Sequence, residues 1–184
     1  LKGFSEGFYK NLCSAKLAPV LETLEYLKQE TEVWFEITTL LIPGENDSAA
    51  EIEAESGWLS DRLGPDVPLH FTAFHPDWKL MDRPQTPPQT LRMARRIAMQ
   101  AGLRYVYTGN VHDPAGQATH CHACGAVLIG RDWYAITEWH LSADGRCGDC
   151  GARCHGLFDA QAGDWGPRRR PVALRAFEPA PLGS

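Results

Sequence analysis

Over the first 110 or so residues the apolar positions switch repeatedly between two periods. Phe8, Tyr9 and Leu12 follow Ser5 at helical spacing, which predicts a short helix capped by the serine. Val20, Leu21, Leu24 and Leu27 repeat that spacing behind Pro19, a residue suited to a first helical turn. Residues 33–42, "VWFEITTLLI", then alternate as a strand does. Phe35, Ile37, Thr39 and Leu41 share one side; Trp34, Glu36, Thr38, Leu40 and Ile42 share the other. Ser48 and Glu51 have the spacing of a capping box and open a helix to about Arg62, with Gly64–Pro65 as its stop. "VPLHFTAFH" (67–75) reads as a second strand. Thr86 and Gln89 form another box, with Pro87 just inside it. Leu91, Ala94, Ile97, Ala98 and Ala101 are the buried side of that helix and Gly102 its end. "LRYVYTGNV" (103–111) is a third strand.

Strand, helix, strand, helix, strand predicts parallel pairing with right-handed crossovers, as in a β/α barrel or a doubly wound sheet. Three strands fall short of the roughly 250 residues of an eight-unit barrel. Residues 1–112 are therefore expected to be part of one, in a chain that continues upstream of Leu1. Ligands of such folds bind beyond the carboxyl ends of the strands. Pro43–Asp47 lie at that end of the first strand, and His75 and Asp77 at that end of the second. A strand-end histidine and an inward glutamate are also common as structural hydrogen-bonding residues, so periodicity alone assigns them no chemistry.

Composition narrows the function classes. The 184 residues carry a formal net charge of −5, so no global basic field draws the chain to nucleic acid. No apolar run approaches the 18 or more residues of a membrane span. Of six cysteines, five lie between Cys121 and Cys154. Cys121-x-x-Cys124-Gly and Cys147-x-x-Cys150-Gly supply four thiolates, the number a closed tetrahedral site needs. This use of cysteine points to metal in a reducing compartment, here the cytoplasm, rather than to disulfides. Zinc is the default ion, and iron of rubredoxin type uses the same ligands. Residues 119–158 thus read as a four-cysteine metal-binding ribbon around a hairpin, and 159–184 as a disordered tail rich in Pro, Ala and Arg. Cys154 and His155 remain as spare ligands or incidental residues. His120 and His122 are expected in solvent, and Cys13 in the core.

Five segments carry a resemblance when taken in order: "LKGFSEGFYKNLCSAKLAPVLETLEYLK", "VWFEITTLLIPGENDS", "PLHFTAFHPDWKL", "AGLRYVYTGNV" and the two C-x-x-C-G pairs. Together they resemble the radical S-adenosylmethionine (SAM) protein of the AmmeMemoRadiSam system, a relative of the pyruvate formate-lyase activating enzymes. The resemblance spans residues 1–157. It implies an α/β fold, the C-terminal part of a partial TIM-type barrel followed by a zinc-ribbon or rubredoxin-like unit. In that family a C-x-x-x-C-x-x-C loop holds a [4Fe–4S] cluster. Reduction cleaves SAM to methionine and a 5′-deoxyadenosyl radical, which abstracts hydrogen from substrate. No C-x-x-x-C-x-x-C occurs in this sequence, so the cluster ligands are expected outside this chain, which alone would not cleave SAM.

Carried over residue by residue, the resemblance assigns Lys2, Thr38, Leu40 and His75 to SAM binding. Glu36 is added as an expected lumen residue, and Cys121, Cys124, Cys147 and Cys150 are the metal ligands. The expected partners are SAM, a substrate whose identity is open (a protein in the activating enzymes), and proteins of the same named system. Two other classes compete. One is a non-catalytic zinc-ribbon binding module on an α/β platform. The other is a cluster-free β/α enzyme, such as a carbohydrate-active barrel using Glu36 and Asp77 as acids.

Overall fold

A computed structural model describes residues 1–163 and Gly166. Most of the tail read as disordered lies outside the described residues.

The α/β half runs α1 (Glu6–Leu12), α2 (Ala18–Glu30), β1 (Ile37–Leu41), α3 (Ala49–Leu63), β2 (Leu69–Ala73), α4 (Pro88–Gln100) and β3 (Val106–Gly109). The strands pair in parallel in the order β1-β2-β3. Ile37, Leu41, Leu69, Phe71 and Val106 point to the face covered by Ile52, Leu59 and Leu63 of α3 and Leu91, Ala94 and Ala98 of α4. Burial of these apolar surfaces is the main stabilising term of the fold. No closed barrel forms from the described residues: one face of a three-stranded sheet is covered by helices, and the other is polar.

All three strands are shorter than the sequence pattern predicts. β1 starts at Ile37 because its one neighbour, β2, begins at Leu69; the Ile37 N–H donates to the Pro68 carbonyl at 2.9 Å. Among the described residues, 33–36 have no strand to pair with, and Val33 is 58% exposed. The caps differ too. Ser5 Oγ accepts from the Phe8 N–H at 3.3 Å and Ser48 Oγ from the Glu51 N–H at 3.2 Å, as their spacing predicts. The carboxylate of Glu51, however, does not close its box. It accepts from the Phe4 N–H at 2.7 Å, fastening the N-terminal segment to α3.

Thr86 is not a cap at all. α4 starts at Pro88 with Pro87 before it, and the buried Thr86 hydroxyl accepts from the Phe74 N–H at 2.9 Å and donates to the Leu41 carbonyl at 2.6 Å. It therefore ties the carboxyl ends of β1 and β2 together. Leu12, placed by periodicity on the apolar side of α1, is 37% exposed.

The C-terminal half holds a short helix, α5 (Pro114–Gln117), and an antiparallel sheet of β4 (Thr119–His120), β5 (Val127–Asp132) and β6 (Ala135–Trp139). Its small core of Cys121, Leu128, Ile129, Leu141, Cys147 and Cys154 closes on Tyr105. Tyr105 precedes β3 and Tyr107 lies on it. Both project from the side of β3 opposite Val106, so the ribbon packs on the polar face of the parallel sheet.

Glu55 is a carboxyl buried under the parallel sheet. It is 1% exposed and accepts from the Thr39 hydroxyl at 2.5 Å. Burial, opposed in part by that bond, raises its pKa from 4.5 to about 7. Between those values the folded chain holds a proton that the unfolded chain has lost. Stability should therefore be fully present below pH 4.5 and fall as pH rises to about 7, by roughly 3 kcal/mol in total. Urea unfolding across this range should show that slope, and Glu55→Gln should flatten it. An unchanged slope in the variant would place its origin elsewhere.

Candidate functional site

The four paired cysteines converge. Cys121 Sγ and Cys150 Sγ are 3.6 Å apart, Cys124 Sγ and Cys147 Sγ 3.7 Å, and all four sulfurs lie within 4.8 Å of one another. Zn–S bonds of about 2.3 Å in a tetrahedron put sulfurs about 3.8 Å apart, so the donor set fits zinc or a single iron. The two C-x-x-C-G segments are built alike. Cys121 N–H donates to the Ala126 carbonyl at 2.8 Å and Gly125 N–H to the Cys121 carbonyl at 2.9 Å. Cys147 and Gly151 repeat both bonds with Ala152 and Cys147, each at 2.9 Å.

Gly125 and Gly151, at φ 79° and 74°, occupy the left-handed region that these turns require. The turns aim backbone N–H groups at sulfur. Against the opposing effect of burial, those of Cys124 and Ala123 lower the Cys121 thiol, whereas at Cys124 and Cys150 the neighbouring sulfurs outweigh backbone N–H groups and raise the thiols. Cys121 and Cys147 are buried, while Cys124 and Cys150 face outward.

The spare candidates separate from this site. Cys154 is 2% exposed in the ribbon core and stands outside the four-sulfur group. His155 donates its backbone N–H to Tyr105 Oη at 3.1 Å, and its ring faces Asp66 at 3.4 Å. His122 lies 3.4 Å from Tyr105 Oη and His120 3.2 Å from the Ala115 carbonyl. Each is occupied by the frame around the metal site rather than by the site itself.

The residues assigned to SAM by resemblance fall at two levels of the parallel sheet. Leu40, Lys2 and His75 belong to the carboxyl end. There the buried Asn46 side chain donates from Nδ2 to the Lys2 carbonyl at 2.9 Å and the Leu40 carbonyl at 3.0 Å, and accepts from the Ile42 N–H at 2.7 Å. Asn46 thus holds the backbone of Lys2 beside the end of β1. His75 is exposed just past β2. Arg83 clamps the adjoining loops by donating to Glu45 from Nε at 2.9 Å and Nη2 at 2.6 Å.

Thr38 lies nearer the middle of the polar face, in one cross-strand row with His70 and Tyr107. Glu36 sits at the opposite, amino end. Its carboxylate meets His70 Nε2 at 2.6 Å and accepts from Trp34 Nε1 at 3.3 Å. The bond from His70 holds its pKa below the ordinary carboxyl value, with burial opposing. The sheet therefore groups Glu36 with His70 and not with Lys2 or His75.

Asn46, His70 and Arg131 are structurally prominent residues that periodicity does not single out. Asn46 lies in a stretch readable only as a loop. His70 carries a signal in hindsight: it holds an outward position in the second strand, as Glu36 does before the first.

No family model matches the chain. It is 43% identical over 154 residues to an uncharacterized protein of Methanocaldococcus jannaschii, a match covering 83% of this chain and 46% of that protein. The chain spans about half the length of the curated relative it matches. No helix among the described residues is long and apolar enough to cross a membrane.

The metal site separates Cys124 from Cys154. Cys124→Ser should lower bound metal well below one ion per chain, whereas Cys154→Ala should keep it near one and lower the melting temperature. Elemental analysis after exhaustive dialysis checks both. Metal retained in the first variant, or lost in the second while its circular dichroism stays native, would contradict the ligand assignment.

Proposed function

We propose that this chain is the C-terminal portion of a radical SAM enzyme, resembling the AmmeMemoRadiSam protein and the glycyl-radical activating enzymes. In this reading the parallel sheet is the trailing part of a β/α barrel and the four-cysteine unit is a structural ribbon. The observation that carries it is the parallel β1-β2-β3 sheet with a polar face, at whose carboxyl end Asn46 fastens Lys2 beside Leu40.

Lys2 would offer an ammonium to the SAM carboxylate. Thr38 and Leu40 would line the face beside it, and His75 would stand at the adenosyl end. In this reading SAM and a [4Fe–4S] cluster would supply the radical chemistry when bound, and the cluster's ligands would come from outside this sequence. The four thiolates of the ribbon leave no open coordination position, so zinc or iron there is structural. The half-length match to the relative is consistent with such a division of one longer protein. The substrate and the partner proteins follow from the resemblance alone. A second reading, a zinc-ribbon binding module without catalysis, is favoured by the completeness of the four-cysteine site within this chain.

Two preparations distinguish them: this chain, and the same chain extended upstream to its natural start, both purified anaerobically. The radical SAM reading expects one ion in the short chain, and about four irons and four sulfides more in the extended one. It also expects SAM cleavage on reduction. In the extended chain, His75→Ala should weaken SAM binding roughly tenfold by calorimetry. An extension that adds no cluster would leave the binding module as the better account.

A further inference from the structure

Between the polar face of the parallel sheet and the β5–β6 hairpin lies a cavity of about 400 Å³, a size suited to a small organic ligand. Its floor is the sheet. The His70 ring stacks on Tyr107 at 4.9 Å between centroids and 25° between planes. Glu36 engages His70 Nε2, which leaves Nδ1 as the ring's free acceptor when Nε2 carries the proton. Gly109 borders the cavity, and a Cβ there would meet Thr72 Cγ2 at 2.8 Å.

The ribbon supplies the other wall. Arg131 lies over the Tyr107 ring at 5.6 Å, and its Nη1 donates to the Gln117 carbonyl at 3.0 Å and to Thr119 Oγ1 at 2.9 Å. Among the described residues these are the guanidinium's only hydrogen bonds, and Nε and Nη2 retain donors for a ligand. At the hairpin turn Trp133, held at φ 52°, and Tyr134 stand 55% and 70% exposed beside the cavity.

These groups differ in what they ask of an occupant. Glu36 is engaged by His70 and Trp34, whereas the Arg131 guanidinium bonds only neutral acceptors among the described residues, so its remaining donors call for an anion. Trp133, Tyr134 and the His70–Tyr107 stack offer aromatic faces, which call for a planar ring. Arg131 is pinned from one side by α5 and β4, so its fork is oriented before a ligand arrives, which lowers the ordering cost of binding.

We propose that this cavity, formed jointly by the parallel sheet and the metal-binding ribbon, is a binding site for a small planar aromatic or heteroaromatic acid, with Arg131 on the acid group and the ring beside Trp133 and Tyr134. The site runs over the polar face from Glu36 at the amino end to Gly109 and Asn110 at the end of β3, and its lining includes none of Lys2, Thr38, Leu40 and His75, so it does not depend on the SAM reading. It also gives the ribbon a second role, since three wall residues come from a hairpin that the metal site anchors.

The test is a heteronuclear NMR titration of the metal-loaded chain with indole-3-carboxylate, indole and inorganic phosphate, each to millimolar concentration. Indole-3-carboxylate should shift the amides of 107–110 and 131–134 and bind roughly tenfold tighter than indole, and phosphate should bind more weakly than either. Arg131→Ala should abolish the preference for the carboxylate, and Trp133→Ala, at an exposed turn, should weaken both ring compounds. The spectrum of each variant reports whether it is folded; if Arg131→Ala is not, Trp133→Ala and the three-probe ranking decide. Shifts elsewhere or none, phosphate matching indole-3-carboxylate, or a ranking untouched by the folded variants would overturn the proposal.

Discussion

Everything in the C-terminal half depends on the two-sided use of β3. Val106 turns into the core beneath α4, while Tyr105 and Tyr107 turn the other way. Tyr105 is 2% exposed, contributes its ring to the ribbon core and accepts the His155 N–H through its hydroxyl. Tyr107 meets Thr119 Oγ1 at 3.0 Å. A strand alternates its side chains between two faces, so one short run of residues can seal two cores. Burial raises the Tyr105 hydroxyl well above its ordinary pKa, which keeps it a neutral hydrogen-bonding anchor. The ribbon is thus seated on the sheet by aromatic packing and by hydrogen bonds to the two tyrosine hydroxyls, with the four cysteines closing the loops that carry it.

That seating orders the polar face. The carboxyl end is bound together by side chains acting on backbone: Asn46 joins Lys2, Leu40 and Ile42, and Thr86 joins Leu41 and Phe74. Toward the amino end, Glu36, His70 and Tyr107 meet Arg131 from the ribbon. One short sheet therefore presents two distinct chemical environments about four residues apart along β1, a separation of roughly 13 Å.

Much of the frame was legible in the sequence because it rests on local rules. The helices at Ser5 and Ser48, the parallel strand order and the glycines after each C-x-x-C follow from capping, periodicity and turn geometry. So does the gathering of the four sulfurs, since paired knuckles with this spacing have few other uses. What was not legible depends on tertiary partners. Thr86 has the spacing of a cap, yet its hydroxyl is taken by two strand ends that only the fold brings near. Glu51 completes half a box and spends its carboxylate on Phe4. Glu36 shares an alternation with Leu40, but which end of the sheet it serves depends on His70, 34 positions away. The strands were read too long because alternation continues past the point where a neighbour exists to pair with.

The four thiolates form a closed site for one metal ion that ties the loops of the ribbon together. X-ray absorption at the metal edge of the purified full chain tests this most directly. Four sulfur scatterers at about 2.3 Å, with no nitrogen or oxygen in the first coordination sphere, is the predicted result. A shell with a histidine nitrogen, or with three sulfurs and an oxygen, would contradict it and return Cys154 and the neighbouring histidines to the list of ligands.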